Sequence, residues 1–314
     1  MKDAIRVSQY CDPFSYDLQG RTFHLIEDGG REMLLHFTDG MTVETALKGE
    51  AFLSESCEVL KADDTTYFVH LMPEAARDLI HVIYVLDTAQ RLFTSVSVVE
   101  GFDPKMPRLM KVTPSFGAIK VPGMRLPETR HSLTRAMTGV HMNWHPGPSK
   151  RGVTHIYYSP TRTRTADKSR PEITMSAELS SEDPAVRKHA EEVVRWHSER
   201  EKWYPIYEEP SFRIRINDHL QLFSFVEENQ VLFSPGHSAG GGGMILVQDV
   251  VRLKEVGISF NPADLRYTHT LLMTAYGDID VSEDKNDTAP SPFDFMEHRC
   301  MPSNLWPIPD LNYR

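Results

Sequence analysis

The chain has 314 residues, more than one ordinary core of roughly 100–200 residues requires, and its 40% hydrophobic and 25% charged composition is that of a folded protein. Asp and Glu outnumber Lys and Arg by 44 to 34, and a formal charge of −10 repels phosphate backbones and anionic lipid, which argues against nucleic acid and membrane surfaces as partners. The amino terminus lacks the apolar core of a signal peptide and no stretch approaches the ~20 apolar residues of a membrane span, so a cytoplasmic location is expected.

From Gly20 to Gly101 short runs of alternating polarity are punctuated by turn residues, the pattern of an antiparallel meander. Asp28-Gly and Asp39-Gly supply the positive φ that tight hairpins need. Further strands are expected at Ser54–Leu60, Thr66–Met72, Leu79–Leu86 and Arg91–Val99. Seven or eight such strands without a long helix predict a closed barrel over residues 12–104, since closure removes exposed sheet edges. Residues 105–149 are rich in proline and read as a connecting segment. One long helix is expected near 184–203, where Ser181 and Asp183 offer cap acceptors and Pro184 suits the first turn. Strand patterns return after Pro210, giving a second barrel over 150–283, and 284–314 read as an irregular docked tail. The fold class is therefore mainly β: two tandem antiparallel barrels, one long helix and a proline-rich connection.

The halves share a pattern in which an apolar strand reaches an Asp, a short turn carries Arg-Leu, and another strand follows. Val82 to Asp87, then Arg91-Leu92, is matched by Ile245 to Asp249, then Arg252-Leu253, which points to duplication. Gly20-Arg-Thr-Phe-His-Leu with its Asp-Gly turns, Tyr67-Phe-Val-His through Asp87, and Asp218-His-Leu-Gln-Leu-Phe-Ser-Phe-Val-Glu227 resemble the molybdenum-cofactor biosynthesis protein F (MoaF) family. The resemblance spans roughly residues 15–101 and 212–278. It implies a calycin fold of two lipocalin-like barrels, and it implies no reaction and no catalytic residue.

Gly236-His-Ser238-Ala-Gly240 fits the nucleophile elbow of serine hydrolases, but three further glycines follow, a poor start for the helix an elbow requires. A flexible hairpin loop is the preferred reading. Cys11, Cys57 and Cys300 are an odd number at spacings that match no metal or redox motif and read as reduced thiols. The loose trio His141, His145 and His155 is the best metal candidate among 14 histidines, and solvated or bonded side chains are favoured over it. No metal or organic cofactor is expected.

Two strand faces of the second half mix apolar residues with polar groups near their ends, as a ligand-lined barrel should. One carries His219, Gln221, Phe223, Phe225 and Glu227, and the other Tyr267, His269, Leu271 and Met273. Phe223, Phe225, Leu271 and Met273 would meet the ligand, with Tyr67 and His70 as the first-barrel counterparts. Imidazole, phenol and carboxylate suit proton transfer: His269 as base, Tyr267 or His219 donating to an oxyanion, Glu227 orienting. The expectation is a protein that binds a small, largely apolar metabolite, aromatic ones included, and catalyses isomerase, decarboxylase or lyase chemistry on it, with a homo-oligomer compatible with the sequence. A non-catalytic carrier and a hydrolase using Ser238 are the alternatives.

Overall fold

The computed structural model describes residues 12–73, 80–100, 110–145, 153–166, 179–188, 190–191, 209–227, 242–262 and 268–279. Strands β1 (Thr22–Glu27), β2 (Glu32–Phe37), β3 (Thr42–Leu47), β4 (Leu53–Lys61), β5 (Thr66–Met72), β6 (Ile80–Asp87), β7 (Leu92–Glu100) and β8 (Met110–Lys120) form an antiparallel meander. It closes where β1 pairs with β8, Leu25 opposite Ile119. A two-residue strand, β9 (Ser132–Leu133), precedes the second meander. That meander comprises β10 (His141–His145), β11 (Val153–Ser159), β12 (Arg162–Ala166), β13 (Glu209–Arg215), β14 (Leu220–Val226), β15 (Gly243–Asp249), β16 (Lys254–Pro262) and β17 (Thr268–Ile279). Its sheet curls until β12 pairs with β13 at Thr163 and Glu209, while β10 pairs with β17 at Trp144 and Gly277.

Burial follows the sequence pattern for a physical reason. In β1 and β2 buried residues alternate with partly exposed ones, because one face meets the barrel interior and the other meets water. In β5 and β14 almost every residue is buried, because the outer face is covered as well. What covers it is the other barrel. Phe68, Ile83, Val85, Val96 and Val98 from the first barrel share one apolar cluster with Phe212, Leu222, Ile245, Val247, Ile258 and Phe260 from the second. Each such side chain removed from water contributes about 1.5–3 kcal/mol. The inward faces form two further clusters, one per barrel.

The segment expected as a plain connection holds strands. Residues 110–120 are the last strand of the first barrel, with Pro114 opposite Val96, and 141–145 begin the second sheet. A proline lacks an N–H, but its fixed φ tolerates extended chain. Arg162 is buried in β12, which has a neighbour on both sides. Of the helix expected over 184–203, residues 184–188, 190 and 191 are described as helical, and Asp183 Oδ1 caps it by accepting the Ala185 N–H at 2.8 Å. Residues 192–203 and the tail 284–314 lie outside the described residues. No helix among the described residues is long and apolar enough to cross a membrane.

Candidate functional site

Hydrogen-bonded registers place the two barrels in residue-by-residue correspondence. Asp63 Oδ1 accepts the N–H groups of Thr65 and Thr66 in the β4–β5 turn, and Asn217 Oδ1 accepts those of His219 and Leu220 in the β13–β14 turn. Asp87 and Asp249 cap the β6–β7 and β15–β16 turns in the same manner. Arg91 (φ 58°) and Leu253 (φ 53°) hold matching left-handed positions there. The duplication read from the hairpins is thus present, with one adjustment: the ladders set Leu92 against Lys254, so Arg91 corresponds to Leu253 and not to Arg252.

This correspondence exposes a difference in content. The first interior is apolar at the level of Leu35, Phe37, Val59, Leu86 and Phe93, all buried. The ladder equivalents in the second are His155, Tyr157, Arg213, Gln248 and Glu255, all buried too. Gly117 also marks the first barrel as filled, since a Cβ there would lie 2.4 Å from the Phe93 ring. Five aliphatic or aromatic positions in one copy are therefore hydrogen-bonding positions in the other. Burying such groups is unfavourable unless each is satisfied.

Most of them are. Gln248 Nε2 donates to Tyr157 Oη at 2.9 Å and to Glu255 Oε2 at 2.9 Å, while its Oε1 accepts from Gln221 Nε2 at 3.0 Å. Arg213 Nη2 donates to Thr138 Oγ1 and to the Ser159 carbonyl, and its guanidinium stands 4.9 Å from the Tyr157 ring centroid. Burial pushes the Glu255 carboxyl up to about 8 against the opposing Gln248 hydrogen bond, so at neutral pH it is an uncharged acid. Burial likewise lifts the Tyr157 phenol above its usual range.

His155 is different. Its ring lies 5.1 Å from Phe223, 5.7 Å from Phe225 and 6.2 Å from Tyr157, centroid to centroid, and neither ring nitrogen has a hydrogen-bond partner among the described residues. Burial lowers its affinity for a proton to about 3, so the ring is neutral. A neutral imidazole offers one donor and one acceptor, and here both face an aromatic wall.

The residues expected to form the site divide as follows. Phe223 and Phe225 belong to the second interior, with Met273 packed against them. His269 and Leu271 occupy β17 register positions opposite Asn261 and Ser259, their side chains outside the described ones, and Tyr267 lies outside the described residues altogether. His219 sits at the β13–β14 turn, its Nε2 3.2 Å from Asp63 of the first barrel and 3.9 Å from Asp249. Glu227 follows β14 and is half-buried. Tyr67 is in the first interior, its hydroxyl 3.4 Å from Asp17, whereas His70 points outward into the seam between barrels. Residues 228–241, with the Ser238 motif, lie outside the described residues, and Asp249 spends Oδ1 on its own turn. The metal trio does not converge: His155 pairs with Met142, an interior residue, so His141 and His145 alternate to the other face. Among the described residues no group of three ligating side chains could hold a metal ion. Cys57 is a buried thiol that desolvation pushes up to about 12.

Gln248, Glu255 and Tyr157 were not anticipated from sequence. Aligning the two Asp hairpins by ladder would have found two of them, because Gln248 and Glu255 then fall on Leu86 and Phe93.

Residues 3–100 match the family described as MoaF N-terminal domain. That stretch covers most of the first barrel and none of the second. No curated protein matches the chain.

Proposed function

We propose that the second barrel binds a small molecule with a largely apolar, planar body and one polar group, and that Glu255 exchanges a proton with it. The observation that carries this reading is the array His155, Tyr157, Gln248 and Glu255 at ladder positions that the first barrel fills with apolar side chains. Phe223, Phe225 and Met273 supply the apolar wall, and His155, with two nitrogens unsatisfied among the described residues, supplies the hydrogen bond that fixes the ligand's polar end. Glu255 suits proton transfer because a carboxyl that changes state near neutral pH can both give and take a proton at the working pH. Gln248 and, through it, Tyr157 hold that carboxyl in one orientation. The His269 base expected from sequence stands as a second candidate on β17, at its register position opposite Asn261.

The reaction class that fits is cofactor-independent proton transfer at carbon, as in an isomerase or lyase. The test has two stages. Native mass spectrometry of freshly purified protein identifies a retained molecule, and deuterium uptake into it from heavy water measures proton transfer. Glu255→Gln keeps size and hydrogen-bonding capacity, so retention should persist while exchange falls by about a hundredfold or more. Exchange unchanged in that variant would remove Glu255 from the chemistry. A retained molecule that never exchanges in the wild type would leave a carrier in place of an enzyme.

A further inference from the structure

Away from the second interior, a surface cleft of about 480 Å³ lies where the two copies meet. The first barrel contributes Gln90 and Leu92, the second contributes residues 215–218, and the segment joining them contributes Arg130 and Ser132. Gln90 Nε2 donates to Asp87 Oδ2 at 2.7 Å and to the Ile216 carbonyl at 3.1 Å, so the cleft is tied together across the seam. Ser132 stands beside Arg215 in the β9–β13 ladder.

Both arginines are held in place and still have donors to spare. Arg130 donates from Nε to Asp28 Oδ1 and from Nη1 to the Pro127 and Thr129 carbonyls, each of these two at 2.7 Å, which leaves the two N–H groups of Nη2 without a partner among the described residues. Arg215 donates from Nη2 to Asp218 Oδ1 at 2.7 Å and from Nε to the Asn217 carbonyl at 3.4 Å, which leaves both N–H groups of Nη1 in the same condition. The carboxylate in the lining is Asp218, whose side chain is 96% exposed. An ion pair so open to water is weak and leaves the guanidinium available to a second anion.

The duplication shows what the equivalent cation holds in the first copy. Thr134 N–H donates to the Arg213 carbonyl as Ser15 N–H donates to that of Val59. Two residues further on, Ala136 N–H meets the Thr134 hydroxyl as Asp17 N–H meets that of Ser15. Ala136 therefore corresponds to Asp17, and Arg215, two residues beyond Arg213, corresponds to Lys61. Lys61 Nζ binds Asp17 Oδ2 at 2.8 Å. The second copy keeps the cation and has alanine in place of the carboxylate.

We propose that this cleft binds a small organic molecule through a phosphate or carboxylate group, whose oxygens accept from Arg130 and Arg215 with the Ser132 hydroxyl beside them. Guanidinium groups match the oxygens of either anion. The volume falls within the range of small-molecule sites, about 300–1,000 Å³, and buried Leu92 and Ile216 offer the body of the molecule an apolar surface. The site is separate from the second interior and independent of what binds there.

NMR titration of the full chain with inorganic phosphate, with succinate and with sodium chloride at matched ionic strength tests the proposal. The backbone N–H signals of Ser132 and Asn217 should shift saturably with phosphate or with succinate, and the one that acts identifies the anionic group. Arg215→Gln, at an exposed side chain, should weaken that binding by about tenfold. Ala136→Asp, also at an exposed position, should weaken it too, by giving Arg215 the internal carboxylate that Lys61 has. No saturable shift with either anion, the same shifts with sodium chloride, or an affinity unchanged in either variant would overturn the assignment.

Discussion

His155 sets the problem at the scale of single residues. An unmet buried donor or acceptor costs about 1–3 kcal/mol, and His155 carries two nitrogens without a partner among the described residues, where the first barrel has Leu35. His155→Leu should therefore raise stability, by about 1–3 kcal/mol in urea unfolding; a clear loss would mean that the ring is satisfied in the fold and has no need of a ligand. Glu255 gives a pH signature. Its folded value of about 8 exceeds its ordinary 4.5, so the folded state keeps a proton that the unfolded chain gives up. Its stabilising share is complete below the ordinary value and is lost as pH rises toward 8, at up to about 1.4 kcal/mol per pH unit. Glu255→Gln should flatten the stability profile between pH 6.5 and 8 relative to wild type, and an unchanged slope would show that the carboxyl is ionised in the fold. Little of this was legible in sequence. His155 stood out only as a member of a loose trio, and Gln248 and Glu255 looked like ordinary polar residues of a hairpin, because an interior polar side chain and a surface one share the same period-two pattern.

At the scale of elements the hairpins were legible wherever one face meets water. β1 and β2 alternate, and the turns that follow them carry Asp-Gly, which sequence reads directly. β4 to β7, and their counterparts β13 to β16, were also found, as strand-length runs bounded by turn residues. The strands β8, β10, β11 and β12 escaped for two reasons. Prolines mask β8, and β11 and β12 carry polar residues and an irregular register between Ile156 and Ser159. What repeats most faithfully is turn chemistry. Asp249 Oδ1 accepts the N–H groups of Val251 and Arg252 at 3.0 and 2.7 Å and so holds Leu253 in its left-handed conformation. Asp249→Ala should cost about 1–2 kcal/mol in thermal or urea unfolding, within the range for hydrogen bonds to a charged group less what water restores. A neutral effect would mean that the strands set the turn unaided.

On the scale of the whole molecule the structure is a duplicated barrel whose copies have diverged inside while keeping a common seam. Asn217 Nδ2 donates to Asp63 Oδ2 at 3.1 Å, so the equivalent turns of the two copies bind one another, and Gln90 reaches the Ile216 carbonyl at 3.1 Å. The shared apolar cluster explains why β5 and β14 have no polar face, which sequence displayed without revealing that the partner surface was the other barrel. The family match falls on the copy with the apolar interior, so the polar interior is where this chain departs from what the match covers. The central claim is that the second interior binds a ligand and the first only supports it. Native mass spectrometry of wild type beside a variant carrying His155→Leu and Gln248→Leu, the residues of the first barrel at both places, tests it most directly. The account predicts a small-molecule adduct on wild type and none on the variant, with the folded charge distribution of the protein unchanged. The same adduct on both proteins, or none on wild type, would contradict it.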